Sequence, residues 1–306
     1  MCEGERRALE GGCHGQAAGS ALWEGVFHAI SAFCNAGFAL NTDSLLGFQR
    51  DPFLLLTIAT LIVLGGLGFA VLALPWLRAR GGRRVGFAVQ ARLVLASTAV
   101  LVVGGAVLFL LAEWGRSLAG LPFHDRLVNA LFQSVTTRTA GFNSVDLAAL
   151  HPLSVLVMMV LMFIGASPGG TGGGIKTTTA VVLVSAILAI ARGRGTAVLL
   201  GRRVPLETVY RSAAIATVAG LVVVVGTGLL LVTQTERFEV LLFEAVSAFG
   251  TVGLSLGATA HLDSVGKLVV AGLMLAGRVG PLSLALLLGR QQPTRVEYPE
   301  ARIMVG

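Results

Sequence analysis

Charge is scarce in this chain. Of its 306 residues 13% are charged, about half the share of a soluble globular domain, which excludes an ordinary soluble enzyme and a charge-rich disordered chain. Lysine is nearly absent: Lys176 and Lys267 stand alone among 23 basic residues, the rest being Arg. Tyr (2) and Trp (3) are rare, leaving Phe (15) as the one plentiful aromatic. A nucleic-acid surface clusters basic residues on a polar face with aromatics to stack on bases. Here the arginines lie between apolar runs, so the net charge of +7 does not point to nucleic acid. The three cysteines, Cys2, Cys13 and Cys34, show no metal-ligand spacing and no even disulfide count. In excess are hydrophobic residues (55%) and glycine (40), with a mean hydropathy of +0.82. That balance specifies an all-α integral membrane protein in contact with the lipid bilayer.

A membrane-crossing helix needs about 20 mainly apolar residues. Five stretches qualify: 52–77, 93–111, 153–191, 213–232 and 265–288. The third is too long for one crossing and is interrupted at 165–176. Three shorter apolar stretches, 22–33, 127–135 and 240–249, are expected to be re-entrant or buried helices. Arginines orient the chain. Arg78, Arg80, Arg83, Arg84 and Arg92 fill one loop, Arg192, Arg194, Arg202 and Arg203 a second, and Arg290, Arg295 and Arg302 the tail. The positive-inside rule places these segments, and the C-terminus, in the cytoplasm. Five crossings then leave the N-terminus outside. Yet the polar segment 1–21, with Glu3, Glu5, Arg6, Arg7 and Glu10, carries neither a signal-type apolar core nor a crossing. The expectation is that preceding sequence is missing.

The chain repeats itself. A short apolar helix followed by Asn or Thr, a small residue, Gly and a large apolar residue occurs at 27–38, 132–142 and 243–254, with Phe-to-Gly separations of 10, 9 and 10 residues. Each copy is followed by a crossing with a glycine cluster; Gly37 to Gly65, Gly141 to Gly169 and Gly253 to Gly280 are 28, 28 and 27 residues apart. The unit is crossing, re-entrant pore helix and loop, crossing, as in a potassium channel. The expected segments are 22–84, 85–195 and 196–306.

Such a unit points to a pore. Non-helical backbone at membrane depth is tolerated where it is buried in protein or lines a water-filled cavity. Glycine allows carbonyl oxygens to turn inward, and rings of carbonyls replace the hydration shell of a monovalent cation. No ring of Asp or Glu occupies these positions, which argues against a divalent-selective carboxylate filter. The interruption holds Gly169, Gly170, Thr171, Gly172, Gly173, Gly174 and Lys176; five glycines in six positions, each costing about 1 kcal/mol in a helix, predict an unwound loop. It is not a nucleotide P-loop, because Ile175 separates Gly174 from Lys176. Arg278 lies mid-crossing, where a charge faces a cavity or a partner, with snorkelling or pairing to Glu113 or Glu244 as alternatives. Arg138 either braces the second loop from behind or forms a structural ion pair. His28, His124, His151 and His261 read as solvated interfacial residues, and Thr136 and Thr137 as caps or back-bonding groups.

Segments 31–40, 136–143, 162–179 and 247–256 resemble the membrane subunits of the Ktr/Trk/HKT superfamily of potassium and sodium translocators. The run GASPGGTGGGIKT at 165–177 looks closest to the bacterial Ktr/Trk branch. The resemblance extends from about Trp23 to the tail and lacks the family's first repeat. It implies an ion filter of Asn35, Ala36, Gly37 and Phe38, of Thr139, Ala140, Gly141 and Phe142, and of Thr251, Val252, Gly253 and Leu254, holding potassium by backbone carbonyls. It implies that the glycine loop and Arg278 form a gate, and that potassium, or in a sodium-selective member sodium, is the transported ion, with no cofactor bound. It further implies a non-enzymatic potassium uptake subunit in the bacterial cell membrane, homodimeric and docked to cytoplasmic nucleotide-binding regulatory subunits. The other reading is a truncated, non-transporting membrane scaffold.

Overall fold

The computed structural model describes residues 18–74, 76 and 85–280. Expectations for the segment before residue 18, the arginines at 78–84, the end of the last crossing and the tail fall outside these residues. The described chain is almost wholly helical: α1 (Ala18–Phe33), α2 (Pro52–Leu67), α3 (Phe69–Leu72), α4 (Val85–Glu113), α5 (Phe123–Thr136), α6 (Pro152–Phe163), α7 (Thr177–Ala191), α8 (Leu206–Thr233), α9 (Phe238–Gly250), α10 (Ala258–His261) and α11 (Ser264–Val279). A two-stranded hairpin, β1 (Val198–Leu199) with β2 (Arg202–Arg203), joins α7 to α8.

Length and exposure separate two kinds of helix. α4 and α8 have 29 and 28 residues, more than the roughly 20 that span a bilayer, and carry outward Val100, Leu111 and Val232 at 71%, 70% and 86% exposure. The 14-residue α5 and 13-residue α9 are buried over their last two turns. α5 packs against α4 and α2; α9 packs against α8, α11 and α6. α5 and α9 are thus each wedged between the long helix before them and an earlier, shorter one. One apolar cluster joins Phe132, Val135 and Phe142 to Ile58 and Ile62 of α2; another joins Phe243 and Phe249 to Met158 and Met162 of α6.

The helices α2, α6 and α11, which follow the three predicted loops, each begin with a side-chain cap. Asp51 accepts from Leu54 N at 3.0 Å, His151 from Leu153 N at 3.1 Å and Asp263 from Gly266 N at 2.6 Å, satisfying a first-turn donor that lacks a helical partner. These caps reset the repeat register. Asp51 lies 14 residues after Gly37, whereas His151 and Asp263 each lie 10 after their glycines; the first linker is longer by four, although it and the second each hold one 3-10 turn, Leu46–Phe48 and Leu147–Ala149. Gly65 therefore corresponds to Gly165 and Gly277, not to Gly169 and Gly280. A side chain on Gly65 would overlap the Phe33 carbonyl, and one on Gly277 the Phe249 carbonyl. Gly68 (φ 84°) ends α2 as Gly280 (φ 90°) ends α11.

Candidate ion filter and gate

The three loops share one unusual backbone. Positive φ recurs at alternate residues: Asn35 (50°) and Gly37 (72°), Thr139 (74°) and Gly141 (92°), Thr251 (52°) and Gly253 (91°). Left-handed conformation suits Gly but is an outlier for β-branched Thr, and strain of this kind persists where the surroundings impose it. The causes are local. The residue before each glycine donates its N–H to the same helical position, Ala36 to Ser31 O, Ala140 to Thr136 O and Val252 to Ser247 O, each at 2.9 Å. Ser31 Oγ donates to Phe38 O at 2.9 Å and Thr136 Oγ1 to Phe142 O at 2.6 Å, so Thr136 braces the loop across six residues instead of capping its helix. Thr137 back-bonds to Ser134 O.

The loops meet edge to edge. A Cβ on Gly37 would overlap the Ala140 carbonyl, and one on Gly141 the Val252 carbonyl; Gly253 has Gly141 Cα at 3.9 Å as its one near neighbour among the described residues. Gly37, Gly141 and Gly253 thus form consecutive sectors of an arc with a free edge at Gly253. A cavity of about 350 Å³ opens beside it, lined in part by Gly141, Asn143, Asp146 and Ser255.

Beneath the arc, residues 164–176 form the unwound loop between α6 and α7. It is pinned at both sides by backbone bonds: Gly165 N to Ile175 O, Ser167 N to Gly66 O and Thr171 N to Gly65 O at 2.9, 3.1 and 3.3 Å. A side chain on Gly172 would overlap the Thr139 hydroxyl, and one on Gly173 would crowd the Thr251 hydroxyl. Thr139, Thr251 and Thr171 hydroxyls are buried without hydrogen-bond partners among the described residues, which is unusual for buried polar atoms. Lys176 Nζ donates to Gly172 O at 2.7 Å and Arg278 Nη1 to Thr171 O, so two cationic side chains hold the loop by its carbonyls. Gly169 and Gly170 pack instead on Phe69 and on the Gly66 carbonyl.

This arrangement decides several sequence alternatives. Arg278 reaches neither carboxylate proposed for it: Glu113 accepts from Ser154 Oγ, His151 N and Ser117 Oγ, and Glu244 from Ser255 and Thr259 hydroxyls. Arg138 is buried without an ion pair among the described residues, so the ion-pair reading fails. His28 is not solvated; it is 9% exposed, with Nδ1 2.8 Å from Glu24 O and Nε2 accepting from Leu40 N at 3.4 Å. His151 is the helix cap described above. Sequence reading offered Glu113 only as a partner for Arg278 and missed the cluster it forms with Ser117, His151 and Ser154, although a carboxylate at the end of an apolar helix is its signal.

Residues 15–296 match the family model TrkH, a cation transport protein. The chain belongs to that family. Members of that family are described as cation transport proteins. It is 40% identical over 287 residues to Ktr system potassium uptake protein B of Vibrio alginolyticus, covering 93% of this chain and 63% of that protein. It is 39% identical to the potassium/sodium uptake protein NtpJ of Enterococcus hirae, covering 93% and 64%. The crystal structure of the potassium transporter TrkH from Vibrio parahaemolyticus superposes with a TM-score of 0.72 at 20% identity, over 88% of this chain and 60% of that one, which establishes the shared fold. The chain spans less than two thirds of the length of these relatives.

Proposed function

We propose that this chain supplies three sectors of a potassium-selective pore for uptake, with the glycine loop as its gate. The observation that carries this reading is the alternating left-handed backbone repeated in three abutting loops. Alternation turns successive carbonyls toward one side, the arrangement that substitutes for the hydration shell of a monovalent cation. The partnerless Thr139 and Thr251 hydroxyls at the lower edge of the arc would add two oxygens to the same path. Below them the loop blocks the exit, and Lys176 and Arg278 set positive charge against a cation there. Potassium, or sodium as in the dual naming of NtpJ, is cargo; no cofactor enters the scheme. The fourth sector would sit at the free edge beside Gly253.

The reading extends to the bacterial cell membrane with the C-terminus inside, a homodimer, and nucleotide-binding regulatory subunits docked on arginine-rich inner loops, as the family resemblance of the sequence implies. Thermal unfolding of the full chain in detergent, with KCl against choline chloride, tests it. A ligand bound by the folded state alone raises stability by RT ln(1 + [L]/Kd), so potassium is expected to raise Tm in wild type and not in Gly141→Ala. A potassium-independent Tm would overturn the pore and leave a scaffold. Sodium stabilising more than potassium would reassign the ion.

A further inference from the structure

The filter loops have a second support that no sequence motif marks. Three residues before Ser31, Thr136 and Ser247, on the same face of each re-entrant helix, stand His28, Gln133 and Glu244. All three are buried, at 9%, 1% and 5% exposure. Polar side chains at that depth are costly without partners, and two of them use their partners to reach the segment leaving the filter. His28 Nε2 accepts the N–H of Leu40, three residues beyond Gly37. Glu244 accepts from Ser255 Oγ at 2.8 Å, two residues beyond Gly253, and from the Thr259 hydroxyl. Ser255 Oγ in turn accepts from Gly257 N at 3.0 Å. Gln133 occupies the corresponding place in the middle repeat, its amide buried and without a hydrogen bond among the described residues.

We propose that Glu244, and His28 in the equivalent position, are positioning residues that hold the outer limb of their filter loops and thereby set ion preference. The argument is mechanical. A filter loop with carbonyls turned to the pore has no ladder of backbone bonds to fix its width. The inner end is tied to its helix by the 2.9 Å bonds to Ser31 and Ser247 carbonyls. The outer end of the last loop is tied by the Glu244 carboxylate, which takes one hydroxyl on each oxygen and is the only acid in that re-entrant helix beyond its first turn. Bonds to an ionised carboxylate are shorter and about twice as strong as neutral ones, which suits a brace. Releasing it lets the carbonyls at 251–253 relax, and discrimination between ions of different radius depends on how firmly those oxygens are held.

This inference rests on the pore reading, and its test separates the two. Half-saturating concentrations of KCl and NaCl for raising Tm are measured on the full chain in detergent. Glu244→Ala is expected to lower the potassium-over-sodium preference by about tenfold, the worth of one charge-assisted hydrogen bond. Glu244→Gln, which keeps an acceptor oxygen and reproduces the residue at Gln133, is expected to retain most of the preference. Should Glu244→Ala not fold, Ser255→Ala removes the same tie from the partly exposed end and is expected to shift preference in the same direction. A wild-type Tm indifferent to both ions overturns the pore and this role with it. A potassium-dependent wild type whose preference survives in Glu244→Ala, or in Ser255→Ala where that is the variant that folds, overturns the positioning role alone.

Discussion

The glycines of the arc carry unequal burdens, and the inequality is testable residue by residue. Gly141 has φ 92° and a carbonyl in the space a methyl group would fill, whereas Gly253 has φ 91° and open space. Alanine at Gly253 therefore meets the left-handed penalty alone, about 1–2 kcal/mol. Alanine at Gly141 meets the same penalty and in addition must push the Val252 carbonyl aside. Gly141→Ala is expected to lower Tm in detergent more than Gly253→Ala, and to abolish the potassium response where Gly253→Ala weakens it. Equal losses would mean that the two loops do not abut. Thr251 carries the opposite conflict, a β-branched residue held at φ 52°. A side chain on its neighbour Gly250 would crowd the Met162 carbonyl and one on Gly173 would crowd Thr251 itself, so close backbone packing from both sides holds a conformation its own side chain disfavours. Valine at Thr251 keeps that shape without the hydroxyl. Thr251→Val should unfold near the wild-type temperature yet respond less to potassium, a separation that a purely structural Thr would not give.

Elements add a constraint that single residues do not. The glycine loop is fastened to α2 through Gly65 and Gly66 carbonyls and to α11 through Arg278, so it moves only if one fastening yields. The side-chain one is a single hydrogen bond from an exposed residue, against two backbone bonds to α2. Arg278→Ala is expected to raise rubidium influx into proteoliposomes in any preparation that conducts, and unchanged influx would return Arg278 to a snorkelling role. At the outer end, Glu113 of α4 is fully buried and gathers the Ser154 hydroxyl, the His151 N–H and the Ser117 hydroxyl, clamping α4 to the start of α6. Truncation leaves these donors unsatisfied at roughly 1–3 kcal/mol each. Glu113→Ala should thus lower Tm by several degrees with little change in ion preference, the reverse of Glu244→Ala. This level also shows what the sequence hides. The unwound loop was legible because five clustered glycines defeat a helix whatever surrounds them. The glycine register was not, since a four-residue insertion between Gly37 and Asp51 is nearly cancelled by matching the wrong glycine of each cluster. His28 and Glu244 were illegible for a related reason: what matters is the segment each reaches, and helix periodicity carries no information about that.

For the whole molecule, the arc, the loop beneath it and the side chains above it define a direction, and the arginines give that direction a sign. Loop 192–203, between α7 and α8, carries four arginines around the β1–β2 hairpin, whereas the ends of the crossings on the filter side are capped by Asp51, His151 and Asp263. An acid at each of two helix starts complements the positive end of the helix dipole, and the basic residues on that side, Arg50, Arg116, Arg126, Arg237 and Lys267, are scattered over several connections, not gathered in one loop. The two biases reinforce each other: arginines resist translocation on one side, and acids at helix starts favour cations on the other. Orientation is therefore open to direct measurement in a variant with Cys2, Cys13 and Cys34 replaced. Arg194→Cys in that background is expected to react with a membrane-impermeant maleimide only after the cells are opened, and Ala148→Cys, on the filter side, in intact cells. The reverse pattern would place the glycine loop outside. The arc would then face the cytoplasm, and the chain would be oriented against the positive-inside rule.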